Sequence, residues 1–230
     1  NFALLRLQMI GEQGNYAEAA DGLKSIAEQL PQVPTIQRMY QHYNALRDYP
    51  QMTISKPNKD VSISFHLQEL KANKREEWMR AGKKQFKGYL ITIPVTCHGK
   101  QQSFIFDTGA SASFVTERVA KDLHLTILPD TILLNGNQKG LQAYIDSLQI
   151  GDIVCQNMIV YVGLNNPLDT LVSGIDAVLG MDFINAVGET QILFDRQQIV
   201  FPNQPTTSTA QSNIFLDGTL IMQAQKGDVP

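Results

Sequence analysis

The sequence predicts a mainly β domain that follows a small α-helical segment. Three observations carry this prediction. Apolar residues recur at helical spacing over residues 1–49, whereas from Val61 onward they alternate with polar residues or form short apolar runs. Between the two regions, residues 50–60 contain Pro50, Pro57, Asn58 and Asp60, which suits a linker. The chain therefore changes from helix to sheet near residue 60.

The composition is that of a chain that folds around a core. Of its 230 residues, 43% are apolar and 18% are charged, far from the low hydrophobicity and high net charge of disordered segments. The formal net charge is -3, so we expect no bulk attraction to nucleic acid, which needs concentrated Lys and Arg. No apolar run approaches the roughly 20 residues of a membrane span.

The helical segment carries two amphipathic patterns. They consist of Tyr16, Ala20, Leu23, Ala27 and Leu30, and of Ile36, Met39, Tyr40, Tyr43 and Leu46. Residues 14–31 resemble the second half of a tetratricopeptide repeat, with residues 2–9 as the preceding helix. A helical hairpin that merely covers the core explains the same pattern, and the two interpretations stay open.

The region from Val61 onward is predicted to be almost entirely β. Strands are expected at residues 61–67, 89–96, 103–106, 143–150, 153–162 and 191–201. One short helix is expected within residues 114–125, and the charged residues 69–87 are expected to form a solvated loop or short helix. Cys97 and Cys155 lie inside apolar runs, so we expect buried thiols rather than metal ligands or a disulfide.

These patterns divide the chain into four parts. We predict a helical segment at residues 1–49, a linker at residues 50–60, a β domain at residues 61–203 and a tail at residues 204–230. The tail contains Asp217-Gly218 between short apolar runs, which indicates a possible β-hairpin.

A candidate for catalysis stands at the end of an apolar strand. Residues 104–106 run directly into Asp107-Thr108-Gly109, followed by Ala110 and Ser111. A carboxylate at a tight turn on the edge of the core is unusual. By itself the tripeptide is a weak signal, because it arises by chance in roughly a few of every hundred chains of this length. An Asx-type turn that leads into a helix is the other explanation.

The surroundings of Asp107 make the pattern specific. A short helical pattern ends at residues 123–125, and Val178-Leu179-Gly180 comes later, continued by residues 181–184. With these markers at this separation, residues 60–203 closely resemble the retropepsin-like aspartic peptidase family. The resemblance implies a closed β-barrel with a short helix after the active-site turn. It also implies that Val178-Leu179-Gly180 packs beside that turn.

The resemblance also implies roles for the residues of the turn. Asp107 is the expected catalytic aspartate, Thr108 is expected to hydrogen-bond across a dimer axis, and Gly109 to permit close approach of backbone and substrate. Ala110 and Ser111 support the turn. Ala110 stands where pepsin-like members usually carry Ser or Thr, so we expect a pH optimum above about 3.5.

A second carboxylate is needed, because known aspartic protease dyads work with two carboxylates about 3 Å apart that share one proton. The chain has no second Asp-Thr-Gly or Asp-Ser-Gly; Asp169-Thr170-Leu171 lacks the glycine. A two-fold homodimer would supply the partner. Neither a metal nor another cofactor is implied.

A hairpin tip is expected between two apolar segments, formed by Asn135, Gly136, Asn137, Gln138, Lys139 and Gly140. In the family a hairpin at this place forms a flap over the substrate, and a Gly-containing tip can bend to admit a peptide. An ordinary Asn-Gly turn is the alternative.

The predicted function is that of an aspartic endopeptidase that acts on peptides or proteins as a homodimer. The alternative is a non-catalytic peptide-binding or adaptor module that keeps the fold. Because similar repeat-plus-peptidase chains are often exported, the resemblance favours an extracytoplasmic location.

Overall fold

The structure is a computed structural model, and it describes residues 2–69, 88–129, 132–134, 138–163, 175–207, 214–217 and 219–222. Three helices come first: α1 (Phe2–Glu12), α2 (Tyr16–Gln29) and α3 (Pro34–Leu46). The helical segment predicted from periodicity is thus confirmed, and its assignment to the tetratricopeptide repeats stays a prediction. In the described ranges, no helix is both long and apolar enough to cross a membrane.

The three helices share a small core of their own. Ala20, Leu23 and Tyr43 are buried there, as the apolar periodicity of α2 and α3 predicts, and so is Ala19, which lies outside that pattern. Leu30 lies just beyond the end of α2 and is 37% exposed, so the apolar face stops one residue earlier than its pattern suggested.

Fifteen strands are present in the described part of the chain. Their bounds are β1 (Thr53–Ser55), β2 (Val61–Ser64), β3 (His66–Glu69), β4 (Tyr89–Cys97), β5 (Lys100–Phe106), β6 (Phe114–Thr116), β7 (Thr126–Ile127), β8 (Ile132–Leu134), β9 (Gln138–Ile150), β10 (Ile153–Gly163), β11 (Ala177–Leu179), β12 (Gln191–Leu193), β13 (Gln198–Phe201), β14 (Ile214–Asp217) and β15 (Thr219–Met222). Two short helices, α4 (Glu117–Asp122) and α5 (Met181–Val187), lie among them.

Six of these strands close a barrel. The hydrogen-bonded order is β10-β6-β11-β5-β4-β9, and β9 pairs with β10 again to complete the ring. The pairs β10–β6 and β11–β5 are parallel, and the other pairs in the ring are antiparallel. Closure leaves none of these six strands as a free edge of the ring. The predicted fold class, a mainly β closed barrel with a short helix and N-terminal helices, is confirmed.

Aromatic side chains fill much of the barrel interior. Phe65, Phe104, Phe183 and Phe201 are among the largest fully buried side chains. The ring of Phe201 meets the rings of Phe106 and Phe183 edge to face, each with centroids 6.4 Å apart. Since Phe106 precedes Asp107 and Phe183 lies in α5, this packing joins the two segments that form the candidate site.

Two predicted elements differ from the structure. The strand expected at residues 61–67 is interrupted at Phe65, because β2 pairs with β13 in a small sheet whereas β3 pairs with β4 of the barrel sheet. Leu67, expected to be buried, is 41% exposed.

The helix expected within residues 114–125 is shorter than predicted. Its first three residues form β6, which pairs with both β10 and β11. Thr116 then ends the strand and caps α4, its hydroxyl accepting a hydrogen bond from the Val119 N–H at 3.3 Å.

The connection between helices and barrel is tied to β10. Within the predicted linker, Thr53–Ser55 forms β1 and pairs antiparallel with β10. The Asn157 side chain donates to the Gln51 carbonyl at 3.2 Å and accepts a hydrogen bond from the Tyr144 hydroxyl at 2.6 Å. The ring of Tyr49 packs on that of Tyr144 with centroids 5.1 Å apart. The domain bounds given above stay predictions.

Cys97 and Cys155 are buried free thiols. Each pairs in register with Leu148, Cys97 from β4 and Cys155 from β10, so they lie two strands apart. That spacing is roughly 9 to 10 Å, beyond the reach of a disulfide. Burial raises the pKa of Cys97 to about 11 and that of Cys155 to about 12, so both are protonated thiols at neutral pH.

A histidine braces the barrel at the turn between β4 and β5. His98 directs one ring nitrogen to the Leu123 carbonyl at 2.7 Å and the other to an Asp146 carboxylate oxygen at 2.6 Å. Because both partners accept, both nitrogens donate, which is the imidazolium form. The bond to Leu123, and after it the bond to Asp146, raises the pKa of His98; the bond to His98 lowers the pKa of Asp146.

We expect His98→Asn to destabilise the fold more at about pH 5.5 than at about pH 8.5. The His98 pKa is raised above its unfolded value, so its contribution is full below about pH 6.5 and is lost as pH rises through the folded pKa. Asn tolerates the positive φ of 48° at this position. Both partners are partly exposed, so the loss is at most about 1 kcal/mol.

Urea unfolding at the two pH values measures this difference. The control is His66→Asn, because His66 is an exposed residue of β3 and is not bonded to His98 or Asp146. An equal loss of unfolding free energy at both pH values would contradict the imidazolium assignment.

Candidate active site

Asp107 stands where β5 leaves the barrel core. Phe104 and Phe106 of β5 are buried, and Asp107, directly after them, is partly exposed. Its backbone N–H donates to the Leu179 carbonyl at 3.0 Å. Its side-chain Oδ1 accepts a hydrogen bond from the Gly109 N–H at 2.8 Å. The carboxylate is thus held at a turn whose backbone is fastened to β11.

The other predicted turn residues lie at the surface. Thr108 and Ala110 are partly exposed, and Gly109 and Ser111 are exposed. The Ala110 N–H donates to the Asp107 carbonyl at 3.3 Å and closes the turn. A Cβ at Gly109 would come within 3.1 Å of Asp107 Oδ1, so a side chain there would crowd the carboxylate.

Val178, Leu179 and Gly180 lie beside this turn. Val178 and Leu179 end β11, which runs parallel to β5 and antiparallel to β6. A Cβ on Gly180 would meet the Ala112 carbonyl carbon at 2.6 Å and the Ala110 carbonyl oxygen at 2.8 Å. The two segments approach so closely that only glycine fits at residue 180 without a shift of backbone.

Three further bonds fasten the turn to the start of α5. The Met181 N–H donates to the Ala110 carbonyl at 2.8 Å. The Ser113 N–H donates to Asp182 Oδ2 at 2.8 Å, and the Ser113 hydroxyl donates to Asp182 Oδ1 at 2.7 Å. The same hydroxyl oxygen accepts a hydrogen bond from the Gly180 N–H at 3.0 Å.

Ser113 and Asp182 were not singled out as site residues by the sequence reasoning. Ser113 is fully buried and Asp182 is partly buried. Burial raises the pKa of the Asp182 carboxyl, opposed by its bonds to Ser113 and Phe183. A signal was present, since Asp182 is a lone charge in the apolar run from Ala177 to Val187.

An apolar row crosses the outer side of the barrel next to Asp107. Strand alternation places Ile105, Val178, Phe114 and Tyr161 on the face opposite the core, because their neighbours along each strand belong to the core. They are neighbours across β5, β11, β6 and β10 in the order given. Ile105 and Val178 are themselves buried, so this part of the row is covered within the chain.

Two tyrosines, Tyr16 of α2 and Tyr161 of β10, have raised pKa values. Burial, then the charges of Asp182 and Glu12, raises the pKa of Tyr161. Burial, then Tyr161 and Asp182, raises the pKa of Tyr16, the first residue of α2.

The predicted flap is described in part. The backbone of β8 pairs with β9, with Ile132 opposite Gly140 and Leu134 opposite Gln138; Lys139 lies between these two residues of β9. Asn135, Gly136 and Asn137 fall outside the described residues, as do the charged residues 70–87. Among the residues described, no cluster of three or more His, Cys, Asp or Glu side chains could hold a metal ion.

Residues 93–186 match the family of gag-polyprotein putative aspartyl proteases. No curated protein matches the chain. Among solved structures, the chain is similar to a retropepsin-like aspartic protease from Rickettsia conorii, with 17% identity, a TM-score of 0.39 and coverage of 65% of this chain and 91% of that one. It is also similar to the retroviral protease-like domain of Ddi1 from Leishmania major, with 15% identity, a TM-score of 0.35 and coverage of 46% and 82%.

The family match spans the Asp107 turn, the flap region and Val178-Leu179-Gly180, which are the segments on which the resemblance was recognised. The resemblance of this chain to the retropepsin-like aspartic proteases is therefore confirmed, with residues 93–186 matching the gag-polyprotein putative aspartyl protease family.

Proposed function

We propose that the protein is an aspartic endopeptidase whose dyad consists of Asp107 from two copies of the chain. The observation that carries this proposal is the turn itself. A partly exposed carboxylate follows a buried strand and accepts a hydrogen bond from the Gly109 N–H. The turn that carries it is fastened to β11 and α5 through bonds of the Asp107 and Ala110 backbone and of Ser113. A fixed, partly exposed acid suits general acid–base chemistry.

The second carboxylate is proposed to come from another copy, because the chain has no second Asp-Thr-Gly and two carboxylates on the segment next to the turn, Asp176 and Asp182, are engaged. Asp182 accepts hydrogen bonds from Ser113 on both oxygens. Asp176 forms an ion pair with Arg118 at 2.7 Å. A two-fold axis beside Asp107 would bring two identical acids together.

A surface for the second copy is available in the small sheet. Within the described residues, β12 pairs with β13 on one side and has an open edge on the other. Phe194 comes directly after β12 and is 62% exposed, although its ring packs edge-on against Phe65. An open strand edge with an exposed aromatic side chain favours pairing with another chain.

The reaction needs no covalent intermediate. With one proton shared by the dyad, the anionic Asp107 takes a proton from a water molecule, whose oxygen attacks the peptide carbonyl carbon. The protonated Asp107 of the second copy donates its proton to the carbonyl oxygen. The first Asp107 then gives the proton it took from water to the peptide nitrogen, and one hydroxyl of the tetrahedral intermediate returns a proton to the second Asp107. The C–N bond breaks, the amine leaves, and the dyad again shares one proton.

Cleavage of an unfolded protein mixture across about pH 3 to 8 tests this proposal. We expect the wild-type chain to cleave with an optimum above about pH 3.5, because Ala110 offers no hydroxyl to the dyad. A statine-type peptide should inhibit it. Asp107→Ala should lower the rate by about 10²- to 10⁴-fold or more, since it removes both the general acid and the general base.

Light scattering on the same samples reports the oligomeric state. A dimer that binds unfolded peptide but cleaves nothing at any pH would favour the peptide-binding module instead. Cleavage that survives Asp107→Ala would place the chemistry elsewhere in the chain.

A further inference from the structure

A buried side-chain link lies behind the Asp107 turn. Ser113, six residues after Asp107, is fully buried, and both its backbone N–H and its hydroxyl donate to Asp182. Asp182 Oδ1 also accepts a hydrogen bond from its own neighbour, the Phe183 N–H, at 2.8 Å. The carboxylate thus receives three hydrogen bonds, two of which come from the last residue of the turn.

A carboxylate at this place is costly to keep. Burial disfavours its charged form, and apolar side chains of α5, namely Met181, Phe183 and Ile184, surround it along the chain. The negative charge of Asp182 also contributes to the raised pKa values of Tyr16 and Tyr161, which are themselves largely buried. We therefore expect the Asp182 carboxylate to have a specific role, and its hydrogen bonds from Ser113 indicate that the role is to hold Ser113 in place.

We propose that Asp182 is a positioning residue that acts through Ser113 to hold the Asp107 turn in its reactive geometry. This inference rests on the proposed peptidase function. Ser113 cannot move without breaking its two bonds to Asp182 and the bond from the Gly180 N–H. Since the turn from Asp107 to Ser113 is short, its far end sets where the carboxylate stands.

Asp182→Asn tests the link with a nearly isosteric change. In one amide orientation the NH₂ group faces the Ser113 N–H, and in the other it faces the Phe183 N–H. Either way a donor meets a donor and one bond is lost. Ser113→Ala removes the hydroxyl bond to Asp182 Oδ1 and the bond from the Gly180 N–H, but keeps the bond from the Ser113 N–H to Asp182 Oδ2, so it weakens the same link from the other side.

The measurement is kcat for each active site titrated with a tight statine-type inhibitor, together with KM. We expect Asp182→Asn to lower kcat per titrated site by about 10- to 100-fold with little change in KM, because misplacement of the acid affects the chemical step. A purely structural role would reduce the number of titratable sites and leave kcat per site unchanged, and that result would overturn the proposal.

The matched control is Asp152→Asn. Asp152 is an exposed aspartate that pairs with Lys59 at 2.8 Å, away from the turn. We expect no change in kcat per site.

A double-variant comparison tests whether Asp182 acts through Ser113. The loss of kcat in the double variant Ser113→Ala/Asp182→Asn should be no larger than the larger of the two single losses, since both changes act on one link. Additive losses would contradict action through Ser113.

Hydrogen exchange measured by mass spectrometry tests the link without activity. In Asp182→Asn, the peptide that covers residues 109–113 should exchange faster than in wild type, whereas the peptide that contains Ile145 in the barrel core should not change. Equal exchange in residues 109–113 would overturn the inference. If the wild-type chain cleaves nothing, the peptidase proposal fails, and this exchange measurement decides separately whether Asp182 holds the turn.

If Asp182→Asn does not fold, Ser113→Ala carries both measurements. Ser113→Ala removes only one hydroxyl group. The same results are expected for it, namely a lower kcat per titrated site and faster exchange in residues 109–113.

Discussion

A nine-fold molar excess of Asp107→Asn is expected to reduce wild-type cleavage to about one tenth once partners have exchanged. In a two-fold dimer the dyad needs one Asp107 from each copy. Random pairing then leaves about one in ten wild-type chains with a wild-type partner. Asn cannot share a proton with the opposing carboxylate, so the mixed dimers should be inactive.

The experiment measures cleavage over time after mixing, at concentrations where light scattering shows a dimer. If inactive dimers compete for substrate, the cleavage rate falls immediately after mixing. If partners exchange, the cleavage rate falls gradually as dimers dissociate and reform. The substrate is kept in excess over all chains to limit that competition.

Unchanged wild-type activity after long incubation would mean that a single chain holds a complete active site. That outcome would reject the cross-subunit dyad and leave the peptidase assignment standing. The mixing experiment thus tests the assembly separately from the chemistry.

Gly180→Ala is expected to destabilise the fold by about 1 to 3 kcal/mol or more, or to prevent folding. Its Cβ would lie 2.6 Å from the Ala112 carbonyl carbon, and backbone atoms cannot rotate away as a side chain can. Relief requires β11 and the Asp107 turn to separate. Separation would stretch the bonds from the Gly180 and Met181 N–H groups. For a domain of this size, each kcal/mol lowers Tm by about 2 to 4 °C.

Gly188→Ala is the matched control for this prediction. Gly188 has a positive φ of 87°, so alanine is strained there, but nothing lies within 4 Å of the added Cβ. We expect Gly188→Ala to lower the free energy of unfolding by roughly 1 to 2 kcal/mol, which is the strain of a left-handed backbone at alanine. Thermal unfolding and the rate of cleavage are measured on both variants.

A Gly180→Ala variant as stable and as active as Gly188→Ala would show that the two segments do not approach as closely as described. The combination expected is a larger fall in Tm together with loss of cleavage, because the same contact supports the fold and places Asp107.

Local periodicity was sufficient to predict the helices α1, α2 and α3 and most strands. Spacing of 3.6 and of 2 residues is a local property, and most elements bury the face that their pattern marks, with Leu30 and Leu67 as exceptions. The Asp107 turn and Val178-Leu179-Gly180 were recognised for a related reason. Both depend on short runs of residue types, namely an apolar strand followed by a small or polar turn.

The elements that were predicted wrongly are those whose state depends on distant partners. Residues 114–116 share helical spacing with residues 117–125, but pairing with β10 and β11 makes them a strand. Phe65 interrupts a pattern of perfect alternation because the chain changes from one sheet to another at that residue.

Sequence alone determined the fold class, the order of the elements and the place of the candidate acid, since these depend on residue type and spacing. Only the tertiary structure decided that Ser113 and Asp182 meet, that Gly180 touches the backbone of Ala112, and that Cys97 and Cys155 stand too far apart to bond. The partners in each of these pairs are more than 50 residues apart in sequence. Their distances are set by barrel closure and strand register, which no local pattern encodes.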